Sequence, residues 1–377
     1  MKRTTPSEEG VTRRGFLSGS GALLAGAVLA DETLNAQIVS AERQAASSRP
    51  QRLVDIHHHF FPPYAKKLEL SMHSTEPNGG LQTWTPEVSL KKMEQLGLSK
   101  AILSMSNWHG DALSPQLLQQ LCRECNDYGA KLTADHPEKF GLFASVMTLP
   151  GIDVTLKEID YAYGTLHADG IGMMSHYGDG LYIGDATFAP ILAELNRRKS
   201  VVFVHPREVS YKLPEPARSM AGLNIPEYLF DTTRGIISLL STAVPETYPN
   251  IKWIFAHAGG TGPYVLSRLS LLGSRTKGFK MGDWNRLAKA MGSFYYDLTN
   301  SVRPTNIKSI LAVAPASHMI FGTDIPQGEG DHSEGDGNQF AREMSAQLLH
   351  LGLSEPDLHA VAYGNAEALF PQTAKHA

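Results

Sequence analysis

The amino-acid sequence predicts an α/β protein, a (β/α)8 TIM barrel, on three observations. Eight short β-branched or apolar runs follow residue 52, helical patterns separate them, and no Gly-x-Gly-x-x-Gly turn follows an early run. The last of these speaks against the alternative of a doubly wound open sheet. Strands are expected near Leu53 to Ile56, Ala101 to Met105, Phe140 to Val146, Gly170 to Met174, Val201 to Val204, Trp253 to Ala256, Phe294 to Tyr296 and Met319 to Gly322. Eight parallel strands close a barrel, and the roughly 330 residues from 51 onward fit one barrel with added loops.

The helices between them carry their own punctuation. Thr85-Pro86 opens one and Gly97 closes it, because threonine caps the free amides and glycine tolerates the left-handed exit. Phe188, Ile191, Leu192 and Leu195 mark the buried stripe of another, and Pro263 to Leu272 reads as a third. Leu117, Leu118, Leu121, Cys122, Cys125, Gly129 and Leu132 follow helical spacing, which places the two cysteines on a buried face. That position suits core packing better than a redox pair or a disulfide. Three connections are too long for simple turns and are candidate lids: Phe60 to Thr85, Pro206 to Glu227 and Ile325 to Asn338.

Composition narrows the function classes. With 42% hydrophobic and 19% charged residues the chain has the profile of a globular enzyme. A net charge of -4 offers no basic field for a phosphate backbone, so no nucleic-acid partner is expected. Residues 1–36 read as a targeting segment: Lys2, Arg3, Arg13 and Arg14 precede an apolar, small-residue stretch from Gly15 to Ala30. Thr12-Arg13-Arg14-Gly15-Phe16-Leu17 resembles a twin-arginine export signal, with a membrane anchor as the alternative. Residues 37–50 then form a flexible leader before the barrel of 51–377, and the mature protein is expected outside the cytoplasm, periplasmic or extracellular, with no stable membrane span.

The first strand ends Asp55-Ile56-His57-His58-His59. Side chains alternate along a strand, so His57 and His59 point one way and His58 the other, and a pair of neutral imidazoles so placed can share one cation. Later strands end in His205, in Ala256-His257, in Asp297 and in Gly322-Thr323-Asp324. In a barrel the C-terminal strand ends converge on one mouth, which makes neighbours of residues far apart in sequence. His176 and Tyr177 after the fourth strand, and Trp108 and His109 after the second, are candidate substrate contacts, with Trp108 a wall for a flat ligand and structural hydrogen bonding as the alternative for all of them.

Asp55-x-His57-x-His59, His205-Pro206, Ala256-His257-Ala258-Gly259-Gly260 with Arg268 beyond it, Gly322-Thr323-Asp324-x-Pro326 and Gly364-Asn365-Ala366 occur in this order. Together they resemble the amidohydrolase superfamily, in particular the aminocarboxymuconate-semialdehyde decarboxylase-related branch. Val54 to Pro63, Tyr177-Gly178-Asp179-Gly180, Leu195 to Lys199 and Asp231-Thr232-Thr233-Arg234 are similar to 6-methylsalicylate decarboxylase-like proteins. The resemblance implies a barrel of the metal-dependent hydrolase type and one divalent ion, zinc or manganese, held by His57, His59, His205 and Asp324. It also implies His257 as an active-site histidine and Arg268 as a carboxylate-binding arginine; a helix-surface charge is the alternative for Arg268. Two-metal members often carry a modified lysine at the fourth strand end, and Gly170 to His176 offers none, so one ion is expected.

Two reactions use these residues. A carboxy-lyase would remove carbon dioxide from a hydroxylated aromatic or related unsaturated acid, without an organic cofactor, with Asp324 and His257 handling the proton. A hydrolase would use the same groups to drive a water onto an amide, ester or lactone. The closer resemblance favours the decarboxylase, and a metal-binding sensor without turnover is disfavoured by the acid–base groups beside the ligands. The expected partner is a small carboxylic acid, and a homodimer is left open by the sequence.

Overall fold

The computed structural model describes residues 52–72, 84–105, 113–146, 151–178, 180–207, 225–275, 282–326 and 339–371. The predicted export signal, the leader, Trp108 and His109, residues 73–83 of the first candidate lid and most of the other two lie outside these residues. One of the expected loops does contain a regular element, the helix Pro63–Met72.

Ten strands form. They are β1 (Leu53–His59), β2 (Leu98–Ser104), β3 (Phe140–Ser145), β4 (Gly170–Met174), β5 (His176–Tyr177), β6 (Leu181–Tyr182), β7 (Val201–His205), β8 (Lys252–Phe255), β9 (Tyr295–Asp297) and β10 (Met319–Ile320). Eight of them make one sheet in the order β1-β2-β3-β4-β7-β8-β9-β10, and β5 with β6 forms a small hairpin absent from the sequence-based expectation. All neighbours in the large sheet run parallel. The last strand returns to the first: Ile56 N–H donates to Phe321 O at 3.2 Å, Asp324 N–H to His57 O at 2.8 Å and His59 N–H to Ile325 O at 2.7 Å. These bonds close the barrel and leave no free edge among its strands.

Two apolar layers follow from the alternation of side chains. Val54, Ile56, Ile102, Phe143, Val201, Phe203, Ile254 and Ile320 fill the barrel interior, joined by Ala366 and Leu369 of the last described helix, Asn365–Leu369, and by Phe370 just after it. Ala101, Leu103, Leu142, Val202, Val204, Trp253 and Phe255 face the surrounding helices. The helix Pro86–Leu96 is capped as its sequence implies: Thr85 accepts from Val88 N–H, and Gly97 leaves at φ 70°. Cys122 and Cys125 are buried free thiols on the helix Pro115–Asp135. Asn365, in the last helix, donates to Ala316 O and Met319 O at 2.9 and 2.7 Å, tying that helix to the start of β10. Among the described residues no helix is long and apolar enough to cross a membrane.

Candidate metal centre

Strand β1 is where local geometry departs from simple alternation. Val54 and Ile56 face the interior, so strict alternation would send His58 inward as well. The pairing with β2 instead slips between Asp55 and His58. One extra residue at such a bulge reverses the phase. His57 therefore turns inward, its ring 5.0 Å from that of Phe203 and 5.1 Å from that of His205. His58 turns outward to Ser89 Oγ of the flanking helix at 2.5 Å. Asp55 holds the bulge by accepting from His57 N–H, the His58 ring, Thr323 N–H and Thr323 Oγ.

One ligand atom each from His57, His59, His205 and Asp324 lies within 4.8 Å of the other three, and all four residues are buried. His57 Nε2 and His59 Nε2 stand 3.0 Å apart. Two imidazole lone pairs so close repel unless a proton or a cation lies between them. Asp324 Oδ1 is 3.3 Å from His57 Nε2 and 3.0 Å from His59 Nε2, and it is buried with no hydrogen-bond partner. A buried carboxylate oxygen in that state fits a cation. The other ring nitrogens are taken: His57 Nδ1 by Asp297 Oδ2 at 2.6 Å, His205 Nδ1 by Pro206 O at 2.6 Å, and His59 Nδ1 by Ser104 O at 3.2 Å. Each contact aims a ring and leaves its Nε2 for the ion, the usual support of metal-bound histidine. The cluster fits one divalent metal ion.

Burial shapes the charges. It pulls His205 well below the ordinary imidazole range, and the neighbouring rings add to that; it lowers His59 too, so both present lone pairs at neutral pH. For His57 burial works the same way, but Asp297 and Asp324 outweigh it and raise the group to about 10. Asp324 is held well below the carboxylate range: burial opposes its charge, and His57 with the other rings overcomes that opposition. At pH 8 the metal-free His57 thus carries a proton that an incoming ion must displace. Its raised value stabilises the metal-free fold fully below about 6.5, and that contribution disappears as pH rises through about 10. Calorimetric titration at pH 8 in buffers of different ionisation enthalpy should show about one proton released per ion bound. Release of none would refute the assignment of His57 as the proton holder.

Close approach demands special backbone at the end of β10. A Cβ on Gly322 would lie 2.3 Å from Thr299 Oγ1 and 2.8 Å from His57 Cβ, so only glycine lets this strand end meet β1. Asp324 adopts φ 64°, a left-handed conformation that costs energy for a non-glycine residue and is held here by the bond from its N–H to His57 O. His257 sits just past β8 with φ 55°, its Nε2 3.5 Å from Asp324 Oδ2.

The remaining expected residues divide. His176 is buried, with Nδ1 3.0 Å from Asp231 Oδ1. Tyr177 makes the structural hydrogen bonds that were its alternative: its hydroxyl accepts from Met174 N–H and donates to Val146 O, and its ring packs 5.4 Å from Phe188 in the outer core. The hairpin β5–β6 turns it there, a step that a reading of β4 alone does not foresee. Arg268 is exposed on the helix Gly262–Leu272, and among the described residues no hydrogen bond or ion pair joins it to the cluster. Sequence reasoning quoted Asp231 within a motif but gave it no role; it is fully buried between the turns after β4 and β7 and accepts from Ser175 Oγ, Tyr182 OH and Arg207 N–H. Its signal was an acidic residue in register with Gly235 and Leu239 on a buried helical stripe. Asn300, which donates to Asp324 Oδ2 at 3.0 Å, had no comparable signal.

A closed parallel barrel whose strand ends gather a cluster that fits one divalent ion is the architecture of a (β/α)8-barrel enzyme. The family model described as Amidohydrolase matches residues 54–372, and the chain belongs to that family. The 6-methylsalicylic acid decarboxylase of Penicillium expansum is 34% identical over 291 residues, 74% of this chain and 86% of its own length. The crystal structure of an amidohydrolase II superposes with a TM-score of 0.72 at 26% identity, covering 85% of this chain and 99% of that one. A dihydroxybenzoic acid decarboxylase from Polaromonas sp. JS666, solved with bound manganese and the inhibitor 2-nitroresorcinol, shares the fold with a TM-score of 0.69 at 18% identity, covering 85% and 97%.

Proposed function

We propose that the protein is a metal-dependent, non-oxidative decarboxylase of a hydroxylated aromatic acid, using no organic cofactor. The observation that carries this reading is the His57, His59, His205 and Asp324 cluster in a chain one third identical to an aromatic-acid decarboxylase along most of both lengths. The one-third-identical relative is a decarboxylase, which supports this reading over the hydrolase alternative. His57, His59, His205 and Asp324 would hold the ion, which supplies Lewis-acid polarisation and a fixed positive charge for the oxygens of the acid. The three imidazoles favour zinc, with manganese as the other candidate, and metal analysis of the purified protein decides between them.

The chain's own residues then place and move a proton. Asp324 and His257, with Nε2 and Oδ2 3.5 Å apart, hold it beside the ring carbon that bears the carboxylate. Its delivery to that carbon interrupts aromaticity; breaking the bond to the carboxylate returns the electron pair to the ring and releases carbon dioxide. Burial of every group in the cluster keeps bulk water from competing for the proton. The test is turnover of salicylate-type acids by metal-loaded protein in heavy water. The product should carry deuterium where the carboxylate stood, with one carbon dioxide per product. Cleavage of esters, amides or lactones with no carbon dioxide from any aromatic acid would replace this reading with the hydrolase.

The paired Arg13-Arg14 ahead of a weakly apolar run supports export of the protein already folded around its ion. Replacing both arginines with lysine should retain the protein in the cytoplasm, and undiminished export would exclude that route.

A further inference from the structure

The end of β9 and the loop that follows it touch two of the four ligands. Asp297 Oδ2 takes the His57 ring at 2.6 Å, and its Oδ1 takes Thr299 N–H at 2.6 Å. Three residues after Asp297, Asn300 adopts φ 55°, its N–H directed to Met344 Sδ at 3.3 Å, and its side-chain amide donates to Asp324 Oδ2 at 3.0 Å. The two oxygens of Asp324 thus have different surroundings. Oδ1 faces His57 and His59, buried and without a hydrogen-bond partner, while Oδ2 bears the Asn300 amide with His257 farther off.

We propose that Asn300 is a positioning residue that divides the Asp324 carboxylate, engaging Oδ2 so that Oδ1 alone serves as metal ligand. The proposal rests on the metal-dependent reading above. A carboxylate binds a cation through one oxygen or both, and a donor fixed on one oxygen selects the first mode. Single-oxygen ligation keeps the protein's share of the coordination sphere at four atoms and leaves positions for the oxygens of the substrate. It also keeps Oδ2 next to His257 for proton transfer. Asn300 is exposed, so it reaches the carboxylate from the solvent side. Asparagine tolerates the left-handed backbone that this position requires.

Asn300→Gly retains that backbone and removes the amide; Asn300→Asp retains backbone and size and replaces the donor with a charge that repels Oδ2. Both variants and the parent are loaded with Co2+, whose visible spectrum reports coordination number, and their affinities for Zn2+ and Mn2+ are measured. Expected is a weaker Co2+ absorption in Asn300→Gly, as the freed carboxylate chelates through both oxygens, with metal affinity lowered about 10- to 100-fold in both variants. kcat should fall more than KM rises, since the change falls on proton handling. A parental spectrum and parental affinity in folded Asn300→Gly would overturn the proposal. Unfolding of both variants would also overturn it, by showing a purely structural role. A parent that binds none of these ions would instead refute the metal reading beneath it.

Discussion

Asp324→Asn is expected to abolish carbon dioxide release even in preparations that retain some metal. Asparagine keeps the shape and one oxygen, but it cannot carry the proton, and it loses the negative charge that balances the cluster of His57, His59 and His205. Removing a positioned acid or base costs about 100- to 10,000-fold in rate, and Asp324 combines that role with metal ligation, so the loss should reach the upper end or beyond. His257→Ala gives the informative contrast. Its Nε2 lies 3.5 Å from Asp324 Oδ2, and it is not one of the four clustered ligands. It should therefore cost kcat far more than metal occupancy. Parallel measurement of bound metal and single-turnover rate checks both, and a His257→Ala protein that loses its metal in proportion to its activity would make His257 a ligand.

The second large effect is expected between adjacent histidines. His57→Ala removes a ligand and strips the fully buried Asp297 of its ring partner, so metal content should fall to background and the fold should lose stability. His58→Ala should keep the metal. His58 points away from the ion, to Asp55 Oδ2 at 2.9 Å and Ser89 Oγ at 2.5 Å, and its loss leaves those buried groups short of one bond each. The cost is on the order of 1–3 kcal/mol of stability. Equal metal loss in the two variants would mean that the bulge in β1 does not set the direction of these rings.

Much of the architecture was legible because it is written in local periodicity. All eight expected barrel strands formed, their ends shifting by a few residues, since an apolar run between turns and capped helices has few alternatives. Thr85 and Gly97 act as the cap and exit that their chemistry implies. The convergence of His57, His59, His205 and Asp324 was legible for a different reason: strand ends of a parallel barrel share one rim whatever lies between them. Tyr177 and Arg268 show where such reasoning ends. Their positions after a strand and on a helix were read correctly, but the direction of a side chain there depends on a hairpin or a helix face that periodicity does not set.

The sequence by itself determined the barrel, the shared face of His57 and His59 and the polar group at each strand end, because these depend on spacing along a short piece of backbone. Only the tertiary structure decided which way that face turned, through the slip between Asp55 and His58 and the bonds that close the last strand onto the first. It likewise decided that Asp297 would aim one ligand and Asn300 another, across separations of 240 and 24 residues. A hydrogen bond between distant residues has no period in the chain; it exists only once closure of the barrel has brought the two strand ends within reach.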